Sequence, residues 1–320
     1  MPHVTFIHGL ANKPEADKLY EIWLRALAKG DDPLDLRSAG VTSRLVYWAD
    51  VLYEQPDPDV AAHESTAERR PQEVDAAGDP PPPVPADARE KAFLDAMRAR
   101  FTTLSDAEIA AAVAAENAPG GQAPESAAAG GTPLERIPLP WWLKKRILAA
   151  QLRDAHHYLF NVEHSPRAGV RYRVQDEIRR RFVSALKAVD SDRHVVVSHS
   201  MGTLIAYDCL KRVADCPSVD ALVTLGSPLG LDEVQDCLEP EWTRSDGYPA
   251  SRLQGPWVNF FDPLDVVCGA DPKLANDFRS AGQARVRDAQ VANAGWWRHS
   301  LVKYFGQPEL RRTLRELLEI

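Results

Sequence analysis

The chain has 320 residues, 44% of them apolar, and a formal net charge of −8, enough to bury a substantial core as one large α/β domain or a domain carrying an insertion. The acidic balance and the lack of a long Lys/Arg block argue against a nucleic-acid surface, and short basic pieces such as Arg179-Arg180-Arg181 and Lys144-Lys145-Arg146 read as solvated helix faces. Cys209, Cys216, Cys237 and Cys268 form neither a CxxC pair nor a dense framework, so they imply neither a metal site nor disulfide stapling and fit a reduced, cytoplasmic setting.

His3-Val-Thr-Phe-Ile7 reads as a core strand with no charged-then-apolar leader before it, and no stretch is apolar for long enough to span a bilayer. Periodicity predicts a strand over 3–8, a helix over about 15–29 with Leu19, Ile22, Trp23 and Leu27 on one face, and a second strand over 43–48. Between Pro56 and Pro85 the chain carries a Pro-Pro-Pro-Pro tract, and Ala118 to Thr132 is rich in Ala, Gly, Pro and Ser. Such segments hold too little apolar surface to offset their ordering entropy. Helices are expected near 88–102, 105–116 and 140–160.

Regular alternation then resumes. Val174, Ile178, Phe182, Leu186 and Val189 make one face of a helix that packs on a sheet. A buried strand with the run Val195–Val197 follows, then strands at Ala221–Leu225, at Trp257–Phe261 and near 285–291, and a closing helix runs over Pro308–Leu318. Strands alternating with helices imply a mostly parallel sheet covered on both faces, with ligands at the carboxyl ends of its strands. The expected organisation is a catalytic core of residues 1–50 and 165–320 and a largely helical, partly disordered cap insertion over 51–164.

The chemistry concentrates where the strand Val195-Val-Val197 runs into Ser198-His-Ser-Met-Gly202 and straight on into a helix. A turn this sharp strains its central residue and tolerates only small side chains two positions away on either side, here Ser198 and Gly202. It lifts the Ser200 hydroxyl above the sheet and points the Met201 N–H, at the helix N-terminus, toward a developing oxyanion. An ordinary strand-to-helix turn also matches five residues; the buried strand before it and the helix after it favour a nucleophile.

A serine hydroxyl needs an imidazole to take its proton and a carboxylate to orient that imidazole. In chain order the partners of such a turn follow as acid and then base, and His299 is the only histidine after Ser200. It lies in the loop Gly295-Trp-Trp-Arg-His-Ser-Leu between the last strand and the last helix. His199 should diverge from the neighbouring hydroxyl and reads as packing or support. His156, His157 and His164 lack a carboxylate or cysteine at ligand spacing, so no metal is expected there. Two aspartates leave the strand end Trp257–Phe261, Asp262 and Asp265. Asp262 precedes Pro263, where an aspartate often shapes a turn through its own backbone bond, and Asp265 is the preferred acid. After the first strand, His8-Gly9-Leu10 leaves the Leu10 N–H as a second oxyanion donor, with His8 a structural partner in that loop.

Phe6-Ile-His-Gly-Leu10, Ser198-His-Ser-Met-Gly202, Leu225-Gly-Ser-Pro-Leu229, Asp262-Pro-Leu-Asp265 and His299-Ser300 together resemble the α/β-hydrolase superfamily on its lipase and esterase side, over approximately 1–50 and 165–320. The resemblance implies Ser200 as nucleophile, Asp265 as acid, His299 as base, and Leu10 and Met201 as oxyanion donors; Ser198 stands where the family's motif has glycine. It implies acyl transfer without a cofactor. A carboxylic ester, small or lipid-like, is the default substrate because an alcohol leaves more easily than an amine, and an amide, a thioester or transfer to an alcohol would use the same residues. A binding protein on a hydrolase scaffold, or an interaction protein working through the insertion, are the rival readings. Within the insertion Trp141 and Trp142, in Ile137-Pro-Leu-Pro-Trp-Trp-Leu143, are expected to roof an acyl pocket, or equally to pack on the core. The basic cluster beside them also fits contact with a membrane surface, more weakly.

Overall fold

The computed structural model describes residues 1–60, 63, 83–102, 152–238, 246–265, 267–268, 271–294 and 298–320. Six strands form one sheet: β1 (Pro2–Ile7), β2 (Thr42–Val46), β3 (Arg193–His199), β4 (Ala221–Leu225), β5 (Trp257–Phe261) and β6 (Val286–Gln290). Their spatial order is β6-β5-β4-β3-β1-β2, and every pairing is parallel. The central strands β3, β4 and β5 are buried almost end to end, which is why they read as continuous apolar runs rather than alternating ones.

Helices cover both faces: α1 (Ala16–Leu27), α2 (Ala49–Leu52), α3 (Ala88–Thr102), α4 (152–159), α5 (Val174–Lys187), α6 (Met201–Arg212), α7 (Asp232–Gln235), α8 (Leu301–Phe305) and α9 (Pro308–Leu318). Strand alternation divides the core in two. Val195 and Val197 face Leu19, Trp23, Phe305 and Leu314 on one side, whereas Val196 joins Phe182, Ile205 and Trp257 on the other. Phe93, Leu94 and Met97 of α3 and Leu152 and Tyr158 of α4 belong to that second cluster. The described parts of the stretch that composition assigns to an insertion therefore pack on the core, each fully buried large side chain contributing about 1.5–3 kcal/mol. No helix among the described residues is long and apolar enough to cross a membrane.

The predicted elements that fall on described residues shift by a residue or two at their ends, where helices and strands fray; the helix expected near 105–116, and residues 140–151 of the one expected near 140–160, lie outside the described residues. A difference of substance lies after His299: α8 separates its loop from the closing helix. Its five residues are too few to show a helical period.

Register aligns the carboxyl ends. Ile7 pairs with Ser198, His199 with Leu225, Leu225 with Phe260, and Phe261 with Gln290. The segments that leave those ends are 8–13, the turn at Ser200, the Gly226 loop, 262–265 and 291–299. Strand order reverses between β1 and β3, and the crevice of such a sheet opens there.

Candidate active site

Ser200 sits at φ 54°, ψ −130°, a left-handed conformation that a side chain rarely adopts. The cost is of order 1–3 kcal/mol, and bonds on both sides hold it. The Ser200 N–H donates to the Leu225 carbonyl at 2.9 Å, and the Ser200 carbonyl accepts from the Thr203 N–H at 2.9 Å and the Thr203 hydroxyl at 2.6 Å. Two glycines let the chain pass close by. A Cβ on Gly202 would lie 2.6 Å from the His8 carbonyl oxygen and 2.8 Å from that of Ile7, and a Cβ on Gly9 would lie 2.4 Å from Ser200 Cβ. Ser198 is accommodated because its hydroxyl donates to the Val223 carbonyl at 3.0 Å. Ser200 Oγ is buried and has no hydrogen-bond partner among the described residues.

The loop that crosses the serine has a defined polarity. The Trp48 N–H donates to His8 Nε2 at 2.9 Å, so the proton of His8 is on Nδ1, which donates to the Gly9 carbonyl at 2.8 Å. The ring stacks on Trp48 at 4.6 Å, and burial pulls its pKa well below the usual histidine value. In a trans peptide N–H and C=O point in opposite directions. The Leu10 N–H therefore points away from the His8 ring, in a loop whose Gly9 lies against Ser200. Met201 is the buried first residue of α6, where backbone N–H groups lack intrahelical partners.

On the other side of Ser200 stand the acid and base candidates. His299 Nδ1 is 2.8 Å from Asp265 Oδ2. The same oxygen accepts from the Tyr304 hydroxyl at 2.8 Å, and Asp265 Oδ1 accepts from the Val267 N–H at 2.9 Å. Burial pushes the Asp265 carboxyl up, but His299 and these donors outweigh it and hold its pKa below the usual carboxylate value. The ionised carboxylate keeps the proton of a neutral His299 on Nδ1 and leaves Nε2 its lone pair. Gly226, at φ 55°, passes so close that a Cβ there would lie 2.7 Å from Asp265 Oδ2 and 3.0 Å from His299 Nδ1. His199 lies beside His299, its Nε2 2.8 Å from the His299 carbonyl oxygen and its ring centroid 4.6 Å from that of His299.

Asp262 has a different surrounding. Its Oδ1 accepts from the Leu264 N–H at 2.8 Å, shaping the turn, and its Oδ2 accepts from the Asn293 N–H at 2.6 Å with Arg298 at 3.5 Å. Burial raises its pKa. Asp262 thus ties the 291–299 loop to the end of β5, while Asp265 meets the imidazole. His156 pairs with Glu90 of α3 at 2.9 Å. Trp141, Trp142 and residues 295–297 lie outside the described residues.

Tyr304 carries no motif or period that reveals it in the sequence, and Gly226, though it lies in Leu225-Gly-Ser-Pro-Leu229, has no signal there of its approach to Asp265 and His299. Tyr304 follows His299 by five positions on α8, and only the packing of that helix shows that its hydroxyl reaches Asp265.

No family model matches the chain, and no curated protein matches it. Among solved structures it is similar to acetyl xylan esterase 1 from Thermoanaerobacterium sp. JW/SL YS485, with a TM-score of 0.34 and 13% identity over 100% of this chain and 74% of that one. An uncharacterized protein from Pseudomonas aeruginosa gives a TM-score of 0.27 and 12% identity over 97% of this chain and 47% of that one. At these scores neither likeness bears on what the chain does.

Proposed function

We propose that the chain is a serine hydrolase that cleaves carboxylic esters, with Ser200 as nucleophile, His299 as base, Asp265 as the acid that orients it, and Leu10 and Met201 as oxyanion donors. One observation carries this reading: a strained serine with a buried, unpartnered hydroxyl stands at the sheet edge where a bonded carboxylate–imidazole pair also stands. A fold bears strain and an unsatisfied buried hydroxyl, about 1–3 kcal/mol each, most readily where they serve a function.

In the proposed reaction Ser200 Oγ attacks the ester carbonyl while His299 Nε2 takes the hydroxyl proton. The carbonyl π electrons move onto oxygen, and the Leu10 and Met201 N–H groups stabilise that charge. When the tetrahedral intermediate collapses, the C–O bond to the alcohol breaks and His299 returns the proton to the departing oxygen. Water then attacks the acyl-enzyme, giving up a proton to the same nitrogen, and the acid product leaves with Ser200 restored. Trp141 and Trp142 as acyl-binding residues, and 51–164 as the cap that carries them, belong to the same proposal.

A fluorophosphonate probe and p-nitrophenyl acetate test it together. Wild-type protein should be labelled at Ser200 alone, and Ser200→Ala should lose both labelling and hydrolysis while its circular dichroism is unchanged. Hydrolysis that survives in Ser200→Ala would overturn the assignment.

A further inference from the structure

The loop that crosses Ser200 is not held by the sheet alone. Asp154, on α4, is fully buried, and its Oδ2 accepts the Ala11 N–H at 2.8 Å. Its carboxylate also accepts from the Tyr53 hydroxyl at 3.1 Å and from Arg153 Nε at 3.2 Å, and the Arg153 guanidinium stacks on the Tyr53 ring at 4.3 Å. Ala11 sits at φ 66°, a conformation that costs a residue with a Cβ roughly 1–2 kcal/mol, so an external bond is needed to keep it there. Lys13 works on the opposite polarity. Its ammonium donates to the Leu10 carbonyl, to that of Ala11 at 3.1 Å and to that of Asn12 at 3.3 Å. One carboxylate takes the loop's N–H and one ammonium takes its carbonyls, and the segment so clamped begins beside Gly9, whose Cα lies against Ser200.

We propose that Asp154 and Lys13 are positioning residues that fix the Leu10 N–H as an oxyanion donor, so that a helix returning from the 51–164 stretch sets transition-state stabilisation at a serine it does not touch. This inference rests on the hydrolase reading above. The clamp acts through backbone geometry: a donor displaced by about 1 Å loses much of its interaction with the oxyanion and little of its interaction with bound ester. Loss of a whole oxyanion donor costs about 10²–10³ in kcat, and loosening one should cost less.

The test measures kcat and KM on p-nitrophenyl acetate, and Ki for a trifluoromethyl ketone, whose hemiketal oxyanion stands where the tetrahedral intermediate's does. The variants are Asp154→Ala, Asp154→Asn and Lys13→Met, each with its melting temperature. Asp154→Ala should lower kcat roughly 10- to 100-fold with KM nearly unchanged, and Ki should rise by the factor by which kcat/KM falls. Asp154→Asn should fall between it and wild type, since an amide oxygen still accepts the Ala11 N–H. If Asp154→Ala does not fold, Asp154→Asn and Lys13→Met decide by the same correlation. Folded variants that keep wild-type kcat/KM, or that lose it with Ki unmoved, overturn the inference while fluorophosphonate labelling of wild-type Ser200 upholds the hydrolase reading. An unlabelled wild-type Ser200 overturns both.

Discussion

Replacing Asp265 and Asp262 separately by asparagine discriminates between the two aspartates at the end of β5, because the two carboxylates differ in what an amide would do to the imidazole. Asp265 Oδ2 accepts from His299 Nδ1 and the Tyr304 hydroxyl at 2.8 Å each, and Oδ1 accepts from the Val267 N–H at 2.9 Å. All three neighbours are donors. In Asp265→Asn one of the two positions must carry an NH₂. If it faces His299, Nδ1 has to accept and the proton moves to Nε2, the atom that takes the serine's proton in the proposed reaction. If it faces Val267, two N–H groups meet in a site with 0% exposure. The first arrangement is the wrong-tautomer defect, worth about 10⁴ in kcat, or about 5.4 kcal/mol in barrier. The second leaves a buried N–H unsatisfied, about 1–3 kcal/mol of stability. Asp262→Asn sets an amide against the Leu264 and Asn293 N–H groups instead. It should destabilise by a similar 1–3 kcal/mol and loosen the 291–299 loop, with a smaller effect on kcat. Steady-state hydrolysis of p-nitrophenyl acetate with parallel thermal melts measures both. A folded Asp265→Asn within tenfold of wild type, beside a folded but inactive Asp262→Asn, would refute the reasoning.

Two further expectations follow from the loop over Ser200. Gly202→Ala puts a Cβ 2.6 Å from the His8 carbonyl oxygen, and since backbone on both sides must shift, it should cost about 1–3 kcal/mol and lower Tm by roughly 1.5–4.5 °C; an unchanged melt would show that α6 and β1 are not packed as described. Lys13 provides a pH test: burial pulls its pKa from 10.5 to about 8, against the upward pull of Asp154 and Asp57, with His8, His63 and His199 also within its field. Between pH 8 and 10.5 the unfolded chain then binds the extra proton, so wild-type stability should rise with pH relative to Lys13→Met across that window, and a flat difference in Tm would show that Lys13 is not buried against the loop.

What was legible in the sequence was local. β4, β5 and α9 keep their predicted bounds because a buried strand is a continuous apolar run and an amphipathic helix repeats every 3.6 residues. The Ser200 turn is a strand, two small residues and a helix in one stretch, so it too could be read off the chain. Proline after Asp262 and the need for a carboxylate near the base separated the two aspartates as far as turn chemistry allows; the hydrogen bond from His299 to Asp265 is tertiary. Tyr304 lies 39 residues from Asp265, and Asp154 lies 143 residues from Ala11. No spacing rule connects side chains at such separations when only packing brings them together. Gly226 read as a strand-end glycine, and its close approach to Asp265 and His299 belongs to the folded sheet.

The two halves of the candidate site are supported by different parts of the chain. Asp265 and His299 hang from β5 and the 291–299 loop and are braced by α8 and Asp262. The loop over the serine hangs from β1 and is braced by Tyr53, Lys13 and α4. The reversal of strand order between β1 and β3 is what brings these independently supported pieces to one serine. On the proposed mechanism, changes near α8 should therefore act on proton transfer and appear in the pH dependence of kcat. Changes near α4 should act on oxyanion stabilisation and appear in the affinity for analogues that carry the charge. Since α4 returns from the stretch that composition sets apart, the proposed mechanism expects sequence variation there to tune the barrier without altering Ser200, His299 or Asp265.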